Sequence, residues 1–567
     1  MSTSIPVLEL NTTSFGSTSW REVGKKKRNI PRQQRLDIQR KNTDFYNFVD
    51  KTLQSLSKKR LHVKKFTLTD SLDKGKSVSR IDRWISFVIE SDVEELSLNF
   101  DQGWYCRKYQ LPQCVLVAKS IIALTLCQCK LESSCGDINL SSLKKLSLCD
   151  IIGDDRIIQK LVVGSPLIED MRFTNCTLES TSGGDMNLPA LKTLSLCKVH
   201  VDDQIIQKIV AGSPVIEDMR FTSCHGLKSI KFEGLTKAMS IELTYNGDLE
   251  RVELEAPNLY SLYIHQKKQC EINLVSCSNL KMLALSAPSI TDKWLHDHLS
   301  QLPLIEYLNI HGCHKLERLK ISSHSLKTFY MMYSKKDELV EIDIDTPNLR
   351  NFAYCGHTVK PFSSTNMALS KAIYQMVQPI APWNVEKIEF LAKLNNSKLL
   401  TLVTQLAKDM VIPQQLRETL PSPSYNVKQL KLQTGNLVIG LDIVELMDSL
   451  LWIAPLPEIL LIALSIDMEP WMDTICFKFS YEKPILKGKK PSCCKFLPSS
   501  MLETLPKEPV KVEEVPVVVE EKLVEKVEEK PVVVVLEPKA KPVAVANEVK
   551  SKFVLELECF SILKPKP

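Results

Sequence analysis

Three kinds of cluster in this sequence have the residue types that phosphate binding, metal binding or proton transfer requires. The first is Gly75-Lys76-Ser77, which matches the end of a phosphate-binding loop, where backbone N–H groups and a lysine hold a nucleotide. Such a loop carries another glycine five residues before Gly75, and that position is Asp70. The motif is incomplete, so we expect no nucleotide site in this segment.

Cysteines and histidines form the second kind of cluster. Cys127-x-Cys129 and His311-x-Cys313-His314 have the close spacing of metal ligands. Both groups follow a short Leu-x-Leu or Leu-x-Ile segment. Cysteine recurs at comparable places along the chain, at Cys149, Cys176, Cys197, Cys224 and Cys277. Recurrence at one structural position favours thiols that serve the fold, so we expect no metal site and no cofactor.

Paired carboxylates, the third kind, occur at Asp154-Asp155 and Asp202-Asp203 and could exchange protons with a substrate. Each pair lies directly before an apolar helical segment, where carboxylates cap the free N–H groups of a helix. We therefore interpret both pairs as helix caps. The sequence assembles no set of nucleophile, base and orienting group, and we predict a non-enzymatic protein without catalytic residues.

The elements that position these residues are revealed by a repeated L-x-x-L-x-L spacing. Clear copies are Leu143-Leu146-Leu148, Leu191-Leu194-Leu196, Leu259-Leu262-Ile264 and Ile305-Leu308-Ile310. A near-verbatim duplication begins at Leu143 and returns at Leu191, 48 residues later. Each copy holds two strand motifs, so one repeat is about 24 residues long, within the range of leucine-rich repeats.

The spacing predicts an α/β leucine-rich-repeat solenoid, or horseshoe, built of strand, helix and turn. After Leu249 the motifs come too close together for intervening helices. We therefore expect irregular C-terminal repeats in which turns such as Ala256-Pro257-Asn258 carry the convex side.

Composition and charge divide the chain further. The net charge is +6, yet residues 1–65 hold 15 Lys or Arg against 5 Asp or Glu, so the basic excess is local. We predict a basic, poorly structured arm over 1–44, repeats over 45–360, a related region over 361–480, and a disordered Val/Glu/Lys/Pro tail over 481–567. We interpret the arm as a solvated segment. The more specific alternative is a nuclear localisation signal, and nucleic-acid binding is disfavoured.

The sequence also disfavours a membrane protein. The apolar stretch at 447–466 is interrupted by Pro455, Pro457 and Glu458, whereas a span needs about 18 continuous apolar residues. We predict a buried helix, a turn and a strand there. The 17 scattered cysteines and the polar start indicate reduced thiols, and hence a cytoplasmic or nuclear protein.

Several sequence segments resemble the plant F-box/leucine-rich-repeat proteins, including their FBD-like C-terminal region. They are FVDKTL at Phe48, IDRWISFVIESDVEELSLNF at Ile81, AKSIIALTLCQCKLE at Ala118, SPLIEDMRFTNC at Ser165 and TPNLRNFAYCG at Thr346. The resemblance implies that repeats select a protein substrate, while an F-box binds the Skp-type adaptor and cullin of an SCF ubiquitin ligase. No F-box is recognisable in this sequence, where only Ser19-Trp20-Arg21 matches part of one.

Candidate binding residues follow from the alternation of side chains along a strand. The leucines face the core, so the residues between them line the concave surface. Arginines and aromatic side chains anchor protein interfaces most often. We predict contact with a protein substrate through Arg172, Arg220, Tyr307, Asn309, Arg318, Lys320 and Tyr330. The alternative is an F-box-less scaffold or decoy that binds the same ligands without a role in ubiquitylation.

Overall fold

The structure, a computed structural model, describes most of the chain up to residue 479. The described residues are 7–12, 32–59, 61–70, 78–100, 108–131, 136–153, 155–178, 186–332, 339–364, 369–377, 382–436, 443–455, 457–465 and 474–479. They divide into two compact units. One runs to Met282 and includes Ser286–Ser289, and the other includes Leu283–Leu285 and continues from Ile290. Strand β18, Met282–Ser286, lies where the two units divide.

A ladder of parallel strands forms the first unit. Its strands, in order of pairing, are β1 Val7–Asn11, β2 Lys65–Asp70, β3 Glu95–Phe100, β5 Ala123–Cys127, β7 Lys145–Cys149, β8 Asp170–Thr174, β10 Thr193–Cys197, β12 Asp218–Thr222, β14 Ser240–Thr244 and β16 Ser261–His265. The alternate apolar side chains of each strand, such as Leu146 and Leu148, are buried. Burial of one such side chain contributes about 1.5–3 kcal/mol, which fixes the register that the L-x-L spacing predicts.

Further strands, of two to five residues, make separate parallel sheets beside this ladder. They are β4 Tyr109–Gln110 with β6 Cys129–Lys130, β9 Thr177–Leu178 with β11 His200–Val201, and β13 Ser229–Phe232, β15 Arg251–Glu255 and β17 Glu271–Val275 together. The expected turn at Ala256-Pro257-Asn258 is present, since Pro257 and Asn258 form a turn between β15 and β16, but strands of a second sheet accompany such turns after Leu249. Alternate L-x-L motifs pair with one another and form a second sheet, because they too bury an apolar side chain at every second residue.

The second unit repeats this arrangement. Its main parallel ladder is β19 Tyr307–His311, β21 Thr328–Met332, β23 Asn351–Gly356, β25 Lys371–Met376, β26 Leu399–Leu406, β27 Gln429–Asn436 and β28 Ile459–Ser465, and β29 Thr474–Phe479 adds antiparallel to β28. A second sheet contains β20 Arg318–Ser322, β22 Glu341–Asp345 and β24 Phe362–Ser364. Parallel pairing thus continues past residue 360, where the sequence suggests that the FBD-like region begins.

Helices connect some of the strands. They are α1 Arg32–Lys59, α2 Val78–Glu90, α3 Gln113–Leu116, α4 Asp155–Val163, α5 Asp203–Ala211, α6 Asp292–Ser300, α7 Val385–Lys393, α8 Gln414–Thr419 and α9 Ile443–Ile453, with a 3₁₀ turn at Ala407–Met410. The predicted cap at Asp202 is confirmed, because its carboxylate accepts the N–H of Ile205 at 2.8 Å. Asp154 lies outside the described residues.

The expectation of a poorly structured arm over 1–44 is wrong for the parts that the structure describes. Strand β1 pairs with β2, and α1 begins at Arg32. Phe45 and Val49 of this helix are completely buried, and the ring of Phe45 lies edge-on to that of Trp84 at 6.4 Å. The indole N–H of Trp84 donates to Asp50 at 2.6 Å. An apolar face on α1, which the basic side chains obscure in the sequence, accounts for the difference.

Two further expectations concern the C-terminal part. The prediction of a helix, turn and strand over 447–466 is confirmed, since α9 ends at Ile453 and β28 begins at Ile459. None of the helices in the described ranges is both long and apolar enough to cross a membrane. The tail over 481–567 lies outside the described residues.

Candidate functional site

Polar side chains follow one another along the outward face of the first unit's ladder. The middle residues of six successive strands are in lateral register: Ser147, Arg172, Ser195, Arg220, Glu242 and Tyr263. We call this set the central row. Neighbouring strands lie about 4.8 Å apart, so Arg172 and Arg220 rise from backbones roughly 10 Å apart with Ser195 between them. The central row is therefore a line of hydrogen-bonding groups at fixed spacing.

Arg172 is held in place by its own strand. Its Nε donates to Asp170 Oδ1 at 2.9 Å, and its second terminal nitrogen donates to Asp170 Oδ2 at 2.8 Å. This bidentate contact raises the pKa of the guanidinium further, so the charge is permanent. The Arg172 side chain remains 60% exposed. Two of its five N–H donors bind Asp170, and the exposed edge is available to a ligand.

Arg220 is held differently, although it occupies the equivalent position in the duplicated repeat. Its Nε lies 3.8 Å from Glu242 Oε2 on the next strand, and both side chains are partly exposed. Strand β10 lies between β8 and β12, so the two Asp–Arg pairs are not on adjacent strands and do not pair with one another. Each arginine instead has a carboxylate partner of its own.

An aromatic patch lies at the far end of the central row and consists of Tyr245, Tyr263 and His265. The rings of Tyr245 and His265 are 4.4 Å apart, and Lys267 Nζ lies 5.3 Å from the centre of the Tyr245 ring. Burial raises the pKa of Tyr263, with smaller contributions from Tyr245 and Glu242, so its hydroxyl remains a donor. Sequence reasoning missed this patch, although Tyr263 occupies an outward position of the motif Leu259-Leu262-Ile264 and His265 directly follows it.

Tyr245 also has strained backbone. Its φ is +56°, in the left-handed region that bulky side chains rarely adopt, and its side chain is exposed. Such strain persists only where surrounding structure enforces it. Here the Tyr245 N–H donates to the carbonyl of His265 at 2.8 Å, which ties the strained residue to the neighbouring strand.

The same bond recurs after every strand along this part of the ladder. Six of the non-glycine residues with φ between 51° and 57° directly follow a strand of this ladder: Gln128, Asp150, Asn175, Lys198, Ser223 and Tyr245. The N–H of each donates to the carbonyl of the last residue of the following strand in the ladder, at 2.8–2.9 Å. We call these residues the left-handed ladder. Because the backbone forms the bond, the side chains project from a rigid edge, a feature that sequence reasoning missed because none is glycine.

In the second unit, the structure brings together three of the predicted binding residues. Tyr307 and Asn309 lie on β19, and Asn309 is in register with Tyr330 on β21. The rings of Tyr307 and Tyr330 meet edge to face with centroids 5.6 Å apart. All three side chains are partly buried and point away from the core. Edge-to-face packing of this kind stabilises a pair by about 0.5–1.5 kcal/mol and orders both rings.

Arg318 and Lys320 do not join that group. Both lie on β20, which pairs with β22 in the second sheet, whereas Tyr307 and Tyr330 belong to the main ladder. The Arg318 Nε is 3.7 Å from Glu341 Oε1 on the neighbouring strand. The expectation that all these residues line one surface is wrong, because identical spacing marks strands of both sheets.

Four buried cysteines, Cys176, Cys224, Cys277 and Cys313, serve the fold, whereas Cys149 and Cys197 are partly exposed. Each of the four buried thiols lies within hydrogen-bonding distance of a backbone carbonyl in the preceding repeat. The pairs are Cys176 with Leu148 at 3.7 Å, Cys224 with Leu196 at 3.6 Å, Cys277 with Leu254 at 3.6 Å and Cys313 with Leu285 at 3.9 Å. Cys129 also turns into the core, so it does not join Cys127 as a second ligand.

Comparison with known proteins agrees with this architecture. The family model of the At1g61320/AtMIF1 leucine-rich-repeat domain matches residues 53–178, 163–281 and 270–415. Three Arabidopsis thaliana proteins are similar: F-box/FBD/LRR-repeat protein At1g13570 (29% identity over 16% of this chain and 20% of that protein), F-box/LRR-repeat protein At3g03360 (25%, 44% and 41%) and putative F-box protein At1g49610 (29%, 30% and 40%).

The matches therefore span less than half the length of each of these relatives. The crystal structure of a TLR13–ssRNA13 complex aligns at 11% identity over 66% of this chain and 77% of the other, with a TM-score of 0.18, which supports no further argument. The relatives confirm the resemblance to plant F-box/leucine-rich-repeat proteins. Since the family model covers more than half of the chain, the protein belongs to the At1g61320/AtMIF1 leucine-rich-repeat domain family.

Proposed function

We propose that this protein is a non-enzymatic recognition module that binds a protein ligand along the central row. The observation that carries the proposal is the lateral register of Arg172, Ser195, Arg220 and Glu242 on a rigid parallel sheet. The arginines of this row are already held by carboxylates, so they lose little conformational freedom on binding and more of each contact contributes to affinity.

The chemistry of the row favours a polar protein segment rather than an apolar one. Arg172 and Arg220 present donors suited to carboxylates and carbonyl oxygens, while Glu242 and the Tyr263 hydroxyl favour a ligand that also carries donors. Asp170 and Glu242 keep the two arginines oriented before a ligand arrives. We expect a ligand segment of mixed charge.

A wider role follows from the relatives whose names include an F-box. We propose that the recognition module serves as the substrate receptor of an SCF ubiquitin ligase, with a Skp-type adaptor and cullin as partners. The alternative is a scaffold or decoy that binds the same ligands without ubiquitylation. Either role places the protein in the cytoplasm, the nucleus or both.

Affinity purification of the full chain from plant cells, followed by mass spectrometry, tests these roles. Recovery of the adaptor and cullin together with further proteins supports the receptor, whereas stable partners without adaptor or cullin support the scaffold. The central row is tested by Arg172→Ala combined with Arg220→Ala. The matched control is Arg251→Ala, because Arg251 is an exposed, ion-paired arginine on β15 of the second sheet.

The expected result is that the double variant loses the partners while the control retains them. One anchoring arginine contributes about 2 kcal/mol at a protein interface, which is about 30-fold in affinity, so the double variant should bind a purified partner at least 30-fold more weakly. Equal retention by both variants would show that the ligand binds elsewhere.

A further inference from the structure

A second cluster of chemically capable side chains lies beside the central row, on β5 and β7. Within the described ranges, Cys127, Cys149 and Asp150 are the one group of His, Cys, Asp and Glu whose ligand atoms lie close enough to share an ion, all within 4.8 Å of one another. Cys127 and Cys149 are lateral partners at the ends of their strands. All three side chains are partly exposed, so solvent ions reach them.

The position of Asp150 is set by the backbone. Its φ is +52°, and its N–H bonds to the carbonyl of Thr174 at 2.9 Å, which fixes the backbone from which the carboxylate projects. Asn175 donates from its side chain to Asp150 Oδ1, which orients the carboxylate. The second oxygen, Oδ2, lies 3.7 Å from Cys149 Sγ. Two thiols therefore converge on a carboxylate that already has an orienting partner.

We propose that Cys127, Cys149 and Asp150 form a binding site for a thiophilic divalent cation of the zinc class, with Asn175 as the residue that orients Asp150. Sulfur ligands select such ions over magnesium or calcium, and zinc accepts two sulfurs, one carboxylate oxygen and a water molecule. Lys108 Nζ donates to the Asp150 carbonyl at 2.6 Å, and its charge balances the excess negative charge that two thiolates and a carboxylate bring to a divalent ion.

The duplicated repeat provides an internal comparison. Cys197 is the equivalent of Cys149 and has the same place at the end of its strand, but it is followed by Lys198 rather than an aspartate. Lys198 has nearly the same backbone, with φ of +55°. The lateral neighbours of Cys197 are Thr174 and Thr222 rather than a cysteine. The repeat fold therefore does not require the Cys127–Cys149–Asp150 cluster, which is particular to the first copy.

Cobalt(II) chloride titration of the full chain under reducing, metal-free conditions tests the site. We expect thiolate-to-cobalt charge-transfer absorption that saturates at one ion per chain and is displaced by zinc. Cys149→Ser and Cys127→Ser should abolish this absorption. Asn175→Ala should lower the affinity for cobalt about 10- to 100-fold, as loss of a residue that orients a metal ligand does elsewhere. Cys197→Ser is the matched control and should leave it unchanged.

A transplanted site distinguishes ligand loss from misfolding. In the Cys149→Ser background, Thr174→Cys and Lys198→Asp place a second cysteine and an aspartate beside Cys197, and cobalt absorption should return. Equal loss in Cys197→Ser and Cys149→Ser overturns the proposal. A second result would also overturn it. In that case the reduced protein shows no thiolate-to-cobalt absorption, and Cys127 and Cys149 form a disulfide on mild oxidation, so that the two cysteines are a redox pair.

Discussion

Removal of the Asn246 side chain should destabilise the first unit more than any exposed polar substitution. Asn246 is 1% exposed and forms two hydrogen bonds to the backbone of the preceding repeat. Its Nδ2 donates to the carbonyl of Phe221 at 2.8 Å, and its Oδ1 accepts the N–H of Cys224 at 2.8 Å. Asn246→Ala leaves a buried donor and a buried acceptor without these partners.

Each buried polar group that loses its partner costs about 1–3 kcal/mol, so the substitution should lower the free energy of unfolding by about 3 kcal/mol. For a unit of this size, that loss lowers Tm by roughly 6–12 °C. Asn258→Ala is the matched control, because Asn258 is exposed and its side chain donates to the carbonyl of Thr236 at 2.8 Å. We expect the control to cost at most about 1 kcal/mol.

Urea and thermal unfolding of the full chain measure both variants, and amide hydrogen exchange locates the effect. Exchange should accelerate in the segment from Phe221 to Cys224 in Asn246→Ala and remain slow there in Asn258→Ala. If both variants shift the unfolding midpoint equally, the reasoning that buried side-chain bonds tie adjacent repeats together is refuted.

Three smaller predictions concern other contacts. Asp202→Ala removes the cap of α5 and should cost about 1 kcal/mol in urea unfolding, and a cost near zero would contradict the capping role. Lys144 and Lys192 lower the pKa of the partly exposed Glu169, so the contribution of this carboxylate to stability is present above its unfolded pKa and is lost as pH falls through the lower folded pKa. Unfolding of Glu169→Gln should therefore change less between neutral and acidic pH than that of the wild type, and the difference should shrink at high salt. Burial raises the pKa of Cys224 to about 12, so iodoacetamide at pH 8 should modify it only after denaturation, and rapid native labelling detected by peptide mass spectrometry would contradict its burial.

The sequence predicts the individual elements well because each one is marked by its own residues. Leucines at every second position mark strands, and aspartate before an apolar segment marks the start of α5. The helix, turn and strand over 447–466 follow from two prolines that interrupt an apolar run. Each of these signals is local, and apolar burial enforces it.

The assignment of strands to sheets could not be predicted in the same way. Arg318 and Tyr307 lie in motifs of identical spacing, yet β20 and β19 belong to different sheets. Alternation shows which side chains face the core and gives no information about which strand lies alongside. Lateral partners depend on the length of each repeat, so the pairing of Cys127 with Cys149 is visible only in the structure.

The left-handed ladder was hidden for a related reason. Positive φ is associated with glycine, whereas Asp150, Lys198 and Tyr245 adopt it because a lateral backbone bond compensates for the strain. A pattern that depends on backbone geometry leaves no consistent residue type in the sequence. The aromatic patch could have been found, since Tyr263 lies at an outward position of a clear motif.

The left-handed ladder has a consequence for how the gene can change. Its bonds use only the backbone, so the side chains at these positions are free to diverge, as Asp150 and Lys198 have done between two otherwise near-identical copies. Each 48-residue copy contributes two strands to the ladder. An unequal genetic exchange between the copies would therefore add or delete two strands at once, and every remaining strand would still meet a neighbour in the correct phase. The main ladder can therefore lengthen or shorten by whole repeats without a new fold.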